Sequence, residues 1–271
     1  MSAIYEPKGK AREYSPLALN LYRGCDHRCS YCYVPSVVKS TREELANPTV
    51  RPNILNVLRN ELEKNVPLEQ ILLSFTGDPY CAAEEEFRVT RAALEMLNHH
   101  KCRVAILTKG GDRSLHDLDL FKRFGERIKI GATLTLWDAS EQEPGAAPTA
   151  ERLAALERLH TEGIRTWASF EPVLDPVQTL ELIHESSSFV DQFKIGKLNH
   201  DAKLERSIDW SAFVVKATKM LREIGKPFYI KHDLAACAPH GFEFIGKERD
   251  HDALALIPRA PLVEQVQGGL F

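Results

Sequence analysis

The chain has 271 residues, a formal net charge of −3 and an ordinary globular composition, 44% hydrophobic, which suits one large α/β domain and is short for two. No apolar run approaches a membrane span, and the start, MSAIYEPKGKAREY, lacks the apolar stretch of a signal peptide, so a cytoplasmic protein without membrane contact is expected. The net charge gives no global attraction to nucleic acid, and any such binding needs a local basic patch.

In chain order, apolar runs suited to buried parallel strands fall at residues 18–22, 71–75, 104–108, 128–136, 166–170 and 190–195. Helical stripes lie between them. Val89, Ala92, Ala93, Met96 and Leu97 form one. Leu153, Leu156 and Leu159 form another, and Phe213, Ala217, Met220, Leu221 and Ile224 a third. Gly125, Gly163 and Gly225 close these helices as C-caps shortly before the next strand. A short strand at 228–230 extends the series. Alternating strands and helices imply a parallel sheet with right-handed crossovers. Six repeats are too few for a closed eight-stranded barrel, so the expected fold is α/β, an open, partial (β/α)6 TIM barrel with its chemistry at the C-terminal strand ends. Residues 1–237 form the expected core domain. Residues 238–271, rich in Pro, Gly and charge, form an extension that wraps the surface.

Six cysteines in a cytoplasmic chain argue for metal or redox chemistry rather than disulfides. Cys25, Cys29 and Cys32 sit within eight residues, just past the first strand. Three thiolates on one loop each bind an iron of a [4Fe–4S] cubane and leave the fourth iron without a protein ligand. That open iron can chelate the amino and carboxylate groups of S-adenosylmethionine (SAM), whose one-electron cleavage gives a 5′-deoxyadenosyl radical. Arg23 and Arg28 offset the cluster's charge. A structural zinc site needs four ligands, usually in two pairs, and the nearest candidates for a second pair, Cys237 and His240, lie about 200 residues away. A disulfide leaves an odd thiol. A non-catalytic zinc-binding module is therefore the rival from a different class.

Cys-x3-Cys-x2-Cys, with Tyr31 before the last cysteine, resembles the radical SAM superfamily motif. The segments Tyr22-Arg23-Gly24-Cys25, Cys32-Tyr33-Val34-Pro35, Thr76-Gly77-Asp78-Pro79-Tyr80, Leu107-Thr108-Lys109 and Phe170-Glu171-Pro172-Val173 resemble the spore photoproduct lyase-related, DNA repair photolyase-like group, over roughly residues 5–235. The resemblance implies a lyase-type radical SAM enzyme that abstracts hydrogen from a damaged or modified nucleic-acid base. A peptide or small metabolite stays open as the substrate. It implies an electron donor such as flavodoxin or ferredoxin. It also implies SAM-binding roles for Tyr31 beside the adenine, for Gly77 and Asp78 at the methionyl ammonium, and for Thr108, Thr135 and Glu171 at the ribose or amino-acid moiety. Backbone carbonyls and a carboxylate past a strand end suit an ammonium, although Gly-Asp-Pro is also plain turn chemistry.

In the family's lyase a cysteine near the second strand end returns hydrogen to the product radical, and here Phe75 takes that place. Cys81, a few residues on, is the substitute candidate, with Tyr80 as an alternative source. Lys109, Lys194, Lys197 and Lys231 lie at or near strand ends and suit a cavity or an anionic substrate, with Lys197 the one best read as a solvated charge. Cys102 and Cys237 read as structural, and His99-His100 as a polar helix end. The last residues, Gln267-Gly268-Gly269-Leu270-Phe271, resemble the short peptides that dock a bacterial sliding clamp through an amide and two apolar anchors.

Overall fold

A computed structural model describes residues 2–199 and 201–256. Its main sheet has eight strands. They are β1 (Ile4–Tyr5), β2 (Leu17–Leu19), β5 (Gln70–Leu73), β6 (Arg103–Thr108), β7 (Ile128–Thr133), β8 (Arg165–Val173), β9 (Gln192–Lys197) and β10 (Phe228–Ile230), side by side in that order. All neighbours pair in parallel except β1, an antiparallel edge on β2. A separate antiparallel pair, β3 (Tyr22–Arg23) and β4 (Thr49–Val50), brackets the cysteine loop.

Strand alternation divides the sheet's side chains into two layers. On β6, Val104 and Ile106 face outward into an apolar layer with Leu58 and Leu62 of helix Ile54–Lys64 and Leu94 and Leu97 of helix Val89–His99. On β8 and β9, Ala168, Phe170, Phe193 and Ile195 face Leu182 of helix Pro176–Ser186 and Val214, Ala217 and Leu221 of helix Trp210–Ile224. The inner layer is smaller and more polar. Leu72, Ala105 and Trp167 form its apolar part, with Tyr14, Phe75 and Leu107 against them. Trp167 fills the barrel centre because Gly131 opposite it has no side chain. A Cβ there would lie 2.4 Å from the indole, whose N–H donates to the Ile106 carbonyl at 3.0 Å.

The expected helix ends at Gly125, Gly163 and Gly225 carry φ of 59°, 78° and 71°. Other expectations are corrected. The strand expected through residue 136 stops at Thr133, because the chain then turns over the barrel mouth. The first strand ends at Leu19, and Tyr22–Arg23 leaves the sheet for Thr49–Val50. The extension after residue 237 is also more than a surface wrap. Glu248 ion-pairs with Arg222 at 2.7 Å, and its carbonyl accepts from the Ile230 N–H on the outer edge of β10. Leu254 and Leu256 are buried, and the Leu256 N–H donates to Gln70 at 3.0 Å. The Leu254 carbonyl accepts from the buried Lys129 ammonium. The extension as far as residue 256 therefore covers the last strand's edge and floors the barrel.

Candidate active site

The C-terminal ends of β5 to β10 open into one cavity of about 630 Å³. Each strand delivers residues to it at or just past its last position: Phe75 to Asp78 after β5, Thr108 and Lys109 after β6, Thr133 from β7, Glu171 and Pro172 from β8, Lys197 from β9 and Lys231 after β10. The loop with Cys25, Cys29 and Cys32 forms the opposite wall, and all three thiols line the cavity.

That loop is fixed from three sides. Gly24 has φ +88° and packs so closely that a Cβ would stand 2.5 Å from the Leu45 carbonyl oxygen, which also accepts from the Cys25 N–H at 2.7 Å. The Arg42 guanidinium donates to the carbonyls of Cys29, Ser30 and Cys32. The loop after β7 clamps it through Ser30 N–H to the Gln142 carbonyl at 2.8 Å and Gly145 N–H to the His27 carbonyl at 3.1 Å. The main chain is therefore held in place while the three thiols stay outside any disulfide.

The donor set fits a cluster with one open iron. All six cysteines are unbonded to one another. The side chains that converge within 4.8 Å are Cys25, Asp26 and His27, a group holding just one of the three thiols. Three thiols spread along a cavity wall match separate irons of a cubane better than one tetrahedral ion. His27 is buried and engaged elsewhere, 3.5 Å from Asp78 and 3.1 Å from the Arg113 guanidinium.

Asp78 is almost wholly buried and joins two strand ends. Its carboxylate accepts from Thr108 Oγ1 at 2.6 Å, Tyr80 N–H at 2.8 Å and Lys109 N–H at 2.7 Å. Gly77 lies against the cysteine loop, where a Cβ would stand 2.7 Å from the Gly24 carbonyl oxygen. Tyr31 lines the cavity and donates its hydroxyl to Glu143, with the Lys109 ammonium 5.6 Å from its ring centroid. Glu143 is buried with Arg152 in an ion pair. Burial alone would raise its pKa, but Lys109, Arg152 and the Tyr31 hydroxyl together hold it below the usual carboxylate value. Glu171 accepts from Lys231 at 2.8 and 2.7 Å and from the Tyr14 hydroxyl.

The structure places four residues differently from the sequence assignment. Thr135 does not line the cavity. It is fully buried and donates to Glu143 at 3.1 Å, and Thr133 takes the strand-end place because β7 stops three residues earlier than expected. Cys81 and Tyr80 also lie outside the cavity lining. The chain turns away after Asp78, so Cys81 caps helix Ala82–Phe87 inside the outer apolar layer. Burial pushes its thiol pKa up to about 12. Tyr80 points its hydroxyl at Asp117, 3.0 Å away. Lys197, expected to be solvated, is half-buried, lines the cavity and pairs with Glu205. The sequence reading missed Tyr14, Thr133, Glu143 and Arg152. Glu143 sits in a loop that reads as solvent-exposed, and no local signal marks it. Tyr14 precedes the first parallel strand, where strand-end logic does not look.

A three-cysteine loop on one wall of a cavity at the strand C-termini defines a radical SAM site on a partial barrel. The family model for the radical SAM superfamily matches residues 19–190, and the protein belongs to that superfamily. It is 28% identical over 193 residues to an uncharacterized protein of Methanocaldococcus jannaschii, covering 69% of this chain and 72% of that one. It is 27% identical over 238 residues to an uncharacterized protein of Acidianus two-tailed virus, covering 78% and 77%. Spore photoproduct lyase complexed with dinucleoside spore photoproduct superposes with a TM-score of 0.58 at 18% identity, over 74% of this chain and 62% of that one. Streptococcus suis SuiB bound to S-adenosylmethionine superposes with a TM-score of 0.58 at 14% identity, over 84% and 53%. The chain thus matches about three fifths of the lyase and half of SuiB, and the likeness is one of fold. The superfamily's cofactors, a [4Fe–4S] cluster and SAM, are this protein's cofactors, and it is an enzyme that needs a reductant. Among the described residues no helix is long and apolar enough to cross a membrane.

Proposed function

We propose that this enzyme abstracts hydrogen from a base of a nucleic acid, as a lyase acting on damaged or modified bases. The observation that carries the reading is the charge of the cavity. A chain of net charge −3 places Lys8, Lys10, Arg28 and Arg42 on the cavity lining near the protein surface. It places Lys109, Lys197 and Lys231 deeper, Lys231 paired with Glu171, Lys197 with Glu205 and the Lys109 ammonium over the Tyr31 ring. Low-dielectric walls focus such a field and draw in an anionic substrate. The local basic patch that the net charge did not reveal is this lining. Tyr5, Tyr14, Tyr33 and Phe75 add aromatic surface to the same cavity, and bases stack on such faces whatever their sequence. Spore photoproduct lyase, whose structure holds a dinucleoside photoproduct, shares the fold.

Cys25, Cys29 and Cys32 hold the cluster. When bound, the cluster and SAM supply a 5′-deoxyadenosyl radical that takes a hydrogen atom from the substrate. The chain's part is placement. Gly77 lets the β5 end approach the cysteine loop, and Asp78 presents carboxylate oxygens to the SAM ammonium. Tyr31, Thr108 and Glu171 line the remaining SAM pocket. Flavodoxin or ferredoxin is the proposed electron donor.

The test is label transfer. Anaerobic, cluster-loaded protein with SAM and a reductant is incubated with ultraviolet-damaged oligonucleotides deuterated on their thymines. Deuterium in the 5′-deoxyadenosine is the expected result. SAM cleavage without deuterium from any damaged oligonucleotide overturns the nucleic-acid assignment and leaves the enzyme class standing.

A further inference from the structure

A sheet that stops short of a full circle leaves a gap, here between the two edge strands, β1 and β10. The backbone of residues 8–15 crosses it. At one side, the Ser15 hydroxyl donates to the Gln70 carbonyl at 2.8 Å. At the other, the Tyr229 hydroxyl and the His232 N–H donate to the Glu13 carboxylate at 2.6 and 2.9 Å, and Lys10 pairs with Asp233 at 2.8 Å. From within the barrel, Lys194 donates to the carbonyls of Glu13 and Tyr14 at 2.5 and 3.2 Å. Its ammonium lies 4.9 Å from the Tyr14 ring centroid, and that of Lys231 lies 4.6 Å from the same centroid. Lys194 is 2% exposed.

A connecting loop does not require this. An unmatched buried ammonium is expensive, yet this one is directed at two main-chain carbonyls of a single segment. The segment in turn lines the active cavity with Lys8, Lys10 and Tyr14. We propose that residues 8–15 are a working wall of the active site and that Lys194 is the positioning residue that holds this wall shut. With the side closed, the cavity loads through the mouth at the strand ends, and the substrate inserts its reacting group end-on. A long polymer cannot lie sideways through the barrel. The inference concerns the route of entry and stands apart from the chemical identity of the substrate.

The experiment uses the cluster-loaded full chain. Amide hydrogen exchange of residues 8–15 in the parent should be slow. Trypsin should cut the parent after Lys8, Lys10 and Arg12 much more slowly than Lys194→Met, with a difference of tenfold or more at unchanged iron content and circular dichroism. A bulky ferrous chelator should likewise strip iron faster from Lys194→Met. Lys194→Gln, which keeps an N–H donor, should recover part of the protection, as a mere change of volume would not. Free exchange of these amides in the parent overturns the proposal even if the variants fail to fold. Unchanged trypsin and chelator rates in a folded Lys194→Met overturn it as well.

Discussion

Asp78 links the ends of two strands to the cofactor pocket, and its loss has a readable size. Asp78→Ala leaves the Thr108 hydroxyl and the N–H groups of Tyr80 and Lys109 without their acceptor. On the proposed assignment it also removes a charge-assisted contact to the SAM ammonium, typically worth about 1.5–3 kcal/mol. SAM affinity of the loaded protein should fall by about 10- to 100-fold, as measured by titration. Equal affinity in the variant would confine Asp78 to a structural role. Lys194 allows a second test, in pH. Burial, and then the nearby Lys231, lower its pKa from 10.5 to about 7. Between these values the unfolded chain holds a proton that the folded chain has released. Stability therefore rises with pH above 7, by up to about 1.4 kcal/mol per unit. Buried Lys129, whose pKa burial also lowers, adds a slope of the same sign. Denaturant midpoints across pH 7–10 should climb in the parent and climb less in Lys194→Met.

Among the elements, the parallel series of strands and the cysteine loop were legible because both signals are local. Apolar runs mark buried strands, and the thiol spacing marks the cluster whatever surrounds it. Element edges were less legible. Thr135 and Cys81 were assigned by counting along strands, and both fall outside the cavity because the chain turns at Thr133 and Asp78. Glu143 and Arg152 were invisible because their partners are distant: Thr133, Thr135 and Tyr31 meet them only in the fold. Gly77 tests how closely two elements must approach. Gly77→Ala puts a Cβ 2.7 Å from the Gly24 carbonyl, so one of the β5 end and the cysteine loop must shift. Global stability should change modestly, because the contact lies at a loop. Cluster occupancy or SAM affinity should fall by tenfold or more, as read by iron analysis and titration. A variant with full iron and unaltered SAM binding would show that the two elements have slack between them.

At the scale of the whole molecule, the barrel is closed by segments that are not strands. Residues 8–15 close the side, and the extension to residue 256 closes the floor. The sequence reading set the core boundary at residue 237, and the structure moves the stabilising contacts past it. The clamp-like residues Gln267 to Phe271 lie outside the described residues, so two truncations separate the roles of the extension. Removing residues 257–271 takes away none of the floor contacts made among the described residues. It should leave the denaturant midpoint and the iron content unchanged, and it should abolish any binding to a bacterial sliding clamp. Removing residues 238–271 exposes the sites of Leu254 and Leu256, each worth about 1.5–3 kcal/mol when buried. It also breaks the Arg222–Glu248 pair and takes the Leu254 carbonyl from a lysine ammonium deep in the barrel. A buried charge stripped of an acceptor has few ways to recover except to admit water or lose its proton. The longer truncation should therefore cost several kcal/mol and show as a large fall in the denaturant midpoint, or as insoluble protein. A soluble fragment of residues 1–237 with the parent's midpoint would show that the barrel stands without its floor.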